Sequence, residues 1–130
     1  MKGQTSIEFF AFFSLSMLIL AVMYTAVADR QTEVFEYREA SNLESVAEKV
    51  AFELENAQIN GEGYSKDLNL PQEINGEFYN LSTNQNFVLA ETESVNLTVS
   101  SRYAGRDISL KSSEAPFEVK NNGSVYIISR

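Results

Sequence analysis

Cysteine and histidine are both missing from the 130 residues. Without thiols there are no disulfide staples and no thiolate metal sites, and without imidazole the commonest general base and metal ligand is gone. Basic residues are scarce, 10 Lys and Arg against 18 Asp and Glu, for a formal net charge of -8. Nucleic acid is a poor partner for such a chain, because its phosphates demand a basic face. Glycine and proline are absent between Gly3 and Gly61. Nothing in that stretch interrupts a helix. No nucleophile–base pair, phosphate-cradling glycine loop or metal-ligand spacing occurs, and Asp67 and Asp107 do not form a calcium loop. The only carboxylate pairings that acid–base chemistry could use are Glu91 with Glu93 and Asp107 with Glu114. Both lie in strand or turn contexts, where acids are ordinarily solvated. The reading is of a chain that is not an enzyme and takes no cofactor and no metal.

What the sequence does contain is an apolar run from Phe9 to Ala28. A membrane-spanning helix needs roughly 20 such residues, since the bilayer core is about 30 Å thick and a helix rises about 1.5 Å per residue. Ser14, Ser16 and Thr25 interrupt it, but hydroxyls can bond back to helix carbonyls. Glu8 stands at the mouth of the run. A carboxylate there costs a few kcal/mol to insert unless it is neutralised or paired, so it calls for a function.

The residues ahead of the run carry a pattern. Gly3-Gln4-Thr5-Ser6-Ile7-Glu8-Phe9-Phe10 resembles the class III signal peptide of archaeal type IV pilin-like proteins: Gln, any residue, Ser, any residue, Glu, then an apolar helix. The resemblance implies cleavage by a prepilin-type peptidase between Gly3 and Gln4, leaving residues 1–3 as the leader. Glu8 then becomes the fifth residue of the mature chain, where it would meet the N-terminal amine of a neighbouring subunit. Phe9, Phe10, Phe12 and Phe13 would lie in the filament's apolar core. The implied partners are further copies of the chain, the peptidase, and the membrane with its pilus assembly platform. Two plainer readings of the same run are a secretory signal cut after Thr25-Ala26-Val27-Ala28 and an uncleaved anchor. Neither explains Gln4, Ser6 and Glu8 together.

Beyond the run, residues 29–59 continue the helix with a different character. Leu43, Val46, Ala47, Val50, Leu54 and Ala57 recur at three and four residues among Glu33, Glu36, Arg38, Glu39, Glu44, Glu48, Lys49, Glu53 and Glu55. That stripe predicts packing against the chain's own C-terminal part. Val34, Phe35 and Tyr37 precede it as expected contacts with neighbouring subunits. A helix from Thr5 to about Gln58 would be roughly 80 Å long.

Residues 60–130 are the expected head. Asn60-Gly61-Glu62-Gly63 ends the helix and the segment to Pro71 reads as a connection. Ile74-Asn75-Gly76-Glu77 reads as a turn. Strands are predicted at 78–82, 87–90, 95–101, 107–111, 117–120 and 125–129, with turns at Asn84, Glu93, Ala104-Gly105, Ala115-Pro116 and Asn121-Asn122-Gly123. Short strands at short spacing suggest an antiparallel meander. The predicted fold is α+β: a long N-terminal helix, transmembrane in its first half, with a small C-terminal antiparallel sheet.

N-glycosylation acceptor patterns occur at Asn80, Asn96 and Asn122. Asn122 sits in a glycine-containing turn, the exposed setting that modification needs. Together these features predict a single-pass membrane precursor with its C-terminal part outside, then a structural subunit of a surface filament serving in adhesion. The alternative is a membrane-anchored extracellular binding module that does not polymerise.

Overall fold

The computed structural model describes residues 2–130. Met1 and the side chain of Lys2, both part of the expected leader, lie outside the described residues. Helix α1 covers Lys2–Asn60, starting earlier and ending later than the sequence predicts. It ends where Gly61 takes a φ of 75°, the left-handed conformation that a side chain would disfavour. Asn60 closes the last turn, its Nδ2 donating to the Asn56 carbonyl at 2.7 Å.

Two compact units divide the chain, one extending through Phe35 and the other Glu36–Arg130. In the first, apolar side chains from Ile7 to Val27 stand exposed. Ser16 Oγ donates to the Phe12 carbonyl at 2.8 Å and Thr25 Oγ1 to the Val22 carbonyl at 2.9 Å, so these hydroxyls are satisfied within the helix. Among the described residues, one helix is long and apolar enough to cross a membrane, and it is this one.

The second unit holds seven strands: β1 (Tyr64–Leu68), β2 (Asn80–Asn84), β3 (Phe87–Glu91), β4 (Asn96–Ser100), β5 (Ser109–Lys111), β6 (Phe117–Asn121) and β7 (Val125–Ser129). They form two antiparallel sheets, β4-β3-β2-β5 and β1-β6-β7, and the architecture is α+β. The meander expectation therefore holds for β2-β3-β4 and for β6-β7 but not for the whole. β5 returns to the far side of β2, and β1 pairs with β6 from Tyr64↔Asn121 to Leu68↔Phe117.

Several boundaries differ from the sequence expectation for stated reasons. The supposed connection contains β1, whose Leu68 is buried. The strand predicted from Phe78 begins at Asn80, because Tyr79 is fixed otherwise: its N–H donates to Ser112 Oγ at 2.9 Å, and its carbonyl accepts from the Ser112 N–H at 2.9 Å. Asn84, expected in a turn, is the last residue of β2, and the turn is Gln85-Asn86. The strand expected from Asp107 is shortened to Ser109, since Ile108 N–H donates to Thr83 Oγ1 at 2.7 Å. The turn at Ile74-Asn75-Gly76-Glu77 is as read, with Ile74 bridged to Glu77.

The helix stripe packs as predicted. Leu43, Val46, Ala47, Val50, Leu54 and Ala57 are buried, and they share one core with Leu68, Tyr79, Leu81, Val88, Ala90, Leu110, Phe117 and Val119. Gly105 is required by close approach: a Cβ there would stand 2.0 Å from the Tyr103 hydroxyl oxygen. Tyr79 is 1 % exposed and donates from its hydroxyl to the Pro71 carbonyl. Burial pushes its phenol up to about 12. Burial also raises Tyr103 and Tyr64, Tyr64 with help from its hydrogen bond to Glu53.

A raised phenol pKa means that the folded state holds the proton more tightly than the unfolded chain. Its stabilising contribution is complete below the ordinary value of about 10 and is lost as the pH rises through the folded value. The second unit is expected to lose stability steadily from pH about 10 to about 12, with the loss softened in Tyr79→Phe. Thermal melts of both proteins across that window check this; a flat melting temperature overturns it.

Candidate functional site

The residues of the Gln-x-Ser-x-Glu pattern all lie on α1, as do Gly3 and Gln4, between which the sequence pattern predicts cleavage. Gly3, Gln4, Ser6 and Glu8 are exposed. Helical spacing puts Gln4 and Glu8 one turn apart on one face, with Phe12 a further turn along, while Ser6 points elsewhere. Among the described residues Glu8 makes no ion pair. Phe9 stacks on Phe13 with ring centroids 6.3 Å apart, and Phe10 meets Phe9 edge-on at 6.0 Å. Phe12 is 72 % exposed. The element thus presents a carboxylate beside a collar of four aromatic rings that the chain itself leaves uncovered. Val34, Phe35 and Tyr37 are exposed as well.

Comparison of the chain with protein-family models, with curated proteins and with solved structures finds no match. Its chemistry has to be argued from its own residues.

Sequence reasoning assigned no partners to the acids that interleave with the stripe on the outer half of α1, and several of them have partners. Glu39 and Glu53 are buried. Glu39 Oε1 accepts from Thr92 Oγ1 at 2.5 Å and Ser94 Oγ at 2.8 Å, in the connection between β3 and β4. Glu53 accepts from Tyr64 OH at 3.0 Å and Lys66 Nζ at 2.6 Å on β1. Glu55 Oε1 accepts from the Arg102 N–H at 2.6 Å and Ser101 Oγ at 3.2 Å. The hydrogen bond to Glu53 raises the Lys66 ammonium above its usual value. Near the end of the helix, Asn121 Nδ2 donates to the Ala57 carbonyl at 2.7 Å. These bonds fix the stripe's register against both sheets, since a shifted helix would leave buried carboxylates unpaired. A signal was present: Glu39 and Glu53 fall in step with Leu43, Val46 and Val50, where only apolar residues belong unless partners await them.

The glycosylation acceptors are all exposed. Asn122 lies in the turn between β6 and β7, its Nδ2 donating to Tyr126 OH at 2.9 Å. Asn80 and Asn96 open strands β2 and β4, so the two-residue alternation turns each asparagine and its Ser82 or Thr98 to one face of the sheet. Of the carboxylate pairings, Glu91 and Glu93 are exposed around the end of β3. Asp107 precedes β5, and Glu114 lies in the helical turn Ser112–Glu114, both exposed. Neither pairing is enclosed in a cleft.

Proposed function

We propose that this chain is a subunit of a type IV pilus-like surface filament, inserted first as a single-pass precursor and then processed between Gly3 and Gln4. The observation that supports it best is the exposed apolar first half of α1, headed by Gln4, Ser6 and Glu8 with the aromatic collar directly after. In a single chain that surface has only lipid to cover it. In a filament, equivalent helices cover one another, and Glu8 exchanges an unpaired position at the membrane for the amine of a neighbour. The adhesive role follows from repetition, because many weak heads on one filament act together.

Processing is compatible with the local structure. Gly3 is the poorest helix former of the first turn, costing about 1 kcal/mol relative to alanine. The first turn also lacks intrahelical acceptors for its N–H groups. A peptidase can open it cheaply.

The test is the N-terminal mass of the native protein, taken from membranes and from sheared surface filaments side by side. The expected terminus in the filament fraction is Gln4, or the same species lighter by one ammonia if the glutamine has cyclised. Retention of Met1 with the protein confined to membranes would sink the reading. A membrane-anchored binding module would then stand in its place, favoured by the single spanning helix alone.

A further inference from the structure

The outer face of the four-stranded sheet carries an arrangement that neither the helix nor the core explains. Along its inner strand β3, Phe87 and Leu89 point outward, opposite to the buried Val88 and Ala90. Phe87 is 50 % exposed. Its partners across the sheet are Asn84 on β2 and Ser100 on β4, and those of Leu89 are Ser82 and Thr98. An apolar column is therefore flanked on both sides by amides and hydroxyls. Asn84, Gln85, Phe87, Leu89 and Thr98 line a shallow cavity of about 340 Å³. That is within the range of small-molecule sites, roughly 300–1,000 Å³.

The polar groups on the two faces of this sheet behave differently. Toward the core, Thr83 accepts from Ile108 N–H and Ser101 donates to Glu55, so each is engaged. Among the described residues, the side chains of Ser82, Asn84, Gln85, Thr98 and Ser100 make no hydrogen bond within the chain. Their donors and acceptors face outward around an apolar centre. The turn that presents Gln85 is held in place: Gln85 and Asn86 adopt φ values of 31° and 72°, and the Ser101 N–H donates to the Asn86 carbonyl at 2.6 Å.

We propose that this face binds a neutral saccharide, with the Phe87 ring as stacking platform and Asn84, Gln85 and Thr98 as its hydrogen-bonding fence. A pyranose has one face of C–H bonds, whose partial positive charge suits the negative face of an aromatic ring, and a rim of hydroxyls that both donate and accept. Asparagine and glutamine amides carry donor and acceptor on one planar group, and threonine does so on one oxygen, which matches that rim. Charge selects among ligands. The cavity lining has no ionised residue, and the chain as a whole carries -8. An acidic polymer is repelled, and a cation finds no carboxylate in the lining. The turn's fixed backbone means little ordering is needed on binding. The inference goes beyond the filament reading and holds whether or not the chain polymerises.

The experiment uses the full chain in detergent micelles, made without N-glycosylation so that Asn80 and Asn96 on the same face carry no sugar of their own. Maltohexaose, cellohexaose and chitohexaose are titrated in, with a galacturonic acid hexamer as the acidic control, and backbone amide signals are followed by NMR. At least one neutral hexasaccharide is expected to shift Asn84 to Leu89 and Thr98 with a Kd below about 1 mM. Phe87→Ala is expected to weaken it at least about tenfold and Phe87→Tyr to retain it, both with unchanged melting temperature. The proposal is overturned if no neutral probe shifts these signals by about 10 mM, if the acidic hexamer binds equally well, or if Phe87→Ala binds as tightly as the parent.

Discussion

Glu8→Ala is expected to be inserted and cleaved normally yet to be nearly missing from surface filaments. Insertion should improve, because the substitution removes an ionised group whose transfer costs about 2.5–3.5 kcal/mol at the bilayer centre and less at the mouth of the run. Cleavage is expected to be unaffected, since the proposed scissile bond between Gly3 and Gln4 and the small Ser6 are retained. Assembly is where the loss falls. In the proposed filament the carboxylate neutralises the amine of a neighbouring Gln4, and without it that amine is buried alone. If the penalty per contact is of the size quoted for membrane charges, the filament fraction drops about 100-fold. Glu8→Gln keeps the shape and removes the charge, so it should behave like Glu8→Ala. The measurement is the ratio of filament to membrane protein by quantitative blotting after shearing, with the N-terminal mass of each pool. Wild-type filament yield from either variant would remove the charge pairing from the mechanism.

Leu54→Ala is expected to be the most damaging single truncation on the outer half of α1. Leu54 is 0 % exposed and shares the core with residues of both sheets. Truncating a fully buried leucine forfeits its transfer energy and leaves a cavity, together about 2–5 kcal/mol. For a unit of this size each kcal/mol lowers the melting temperature by about 4–8 °C. Phe52→Ala is the control two residues away. Phe52 is 59 % exposed, so its removal should change stability by no more than about 0.5 kcal/mol. Thermal melts followed by near-ultraviolet circular dichroism, which senses the packed Tyr79 and Tyr103, compare the two. Equal melting temperatures would mean that the stripe does not hold the sheets.

Much of this architecture is legible in the sequence where the signals are local. The absence of Gly and Pro from 4–60 dictates a helix, and the spacing of Leu43, Val46, Val50 and Leu54 tells which side of it is buried. Hairpins such as β2-β3 and β6-β7 are announced by alternation and by turn residues close at hand. The strand β1 is not, for a physical reason. Of its five residues only Leu68 is buried; Lys66, on the same side of the strand, is exposed and reaches Glu53 on the helix with its ammonium. A strand with a single buried position leaves no alternation to read. The division into two sheets is hidden likewise, because the pairing of β1 with β6 has no short-range mark. At the N-terminus the pattern of residue types is plain, and what they would meet in the proposed filament is a property of more than one chain. The Phe87 cavity depends on cross-strand register, which no single strand reveals.

That distant pairing is expected to set the order of events during folding. Ser65 on β1 and Glu118 on β6 are joined by a hydrogen bond across 53 positions. Closing so long a loop is entropically costly before its contacts form, whereas β2, β3 and β4 pair through near neighbours. The four-stranded sheet can therefore assemble while β1 is still waiting, and β1 is clasped only when β6 arrives. The three-stranded sheet acts as the late-closing latch, and a chain stalled before Phe117 carries a formed helix and hairpins but an open flank.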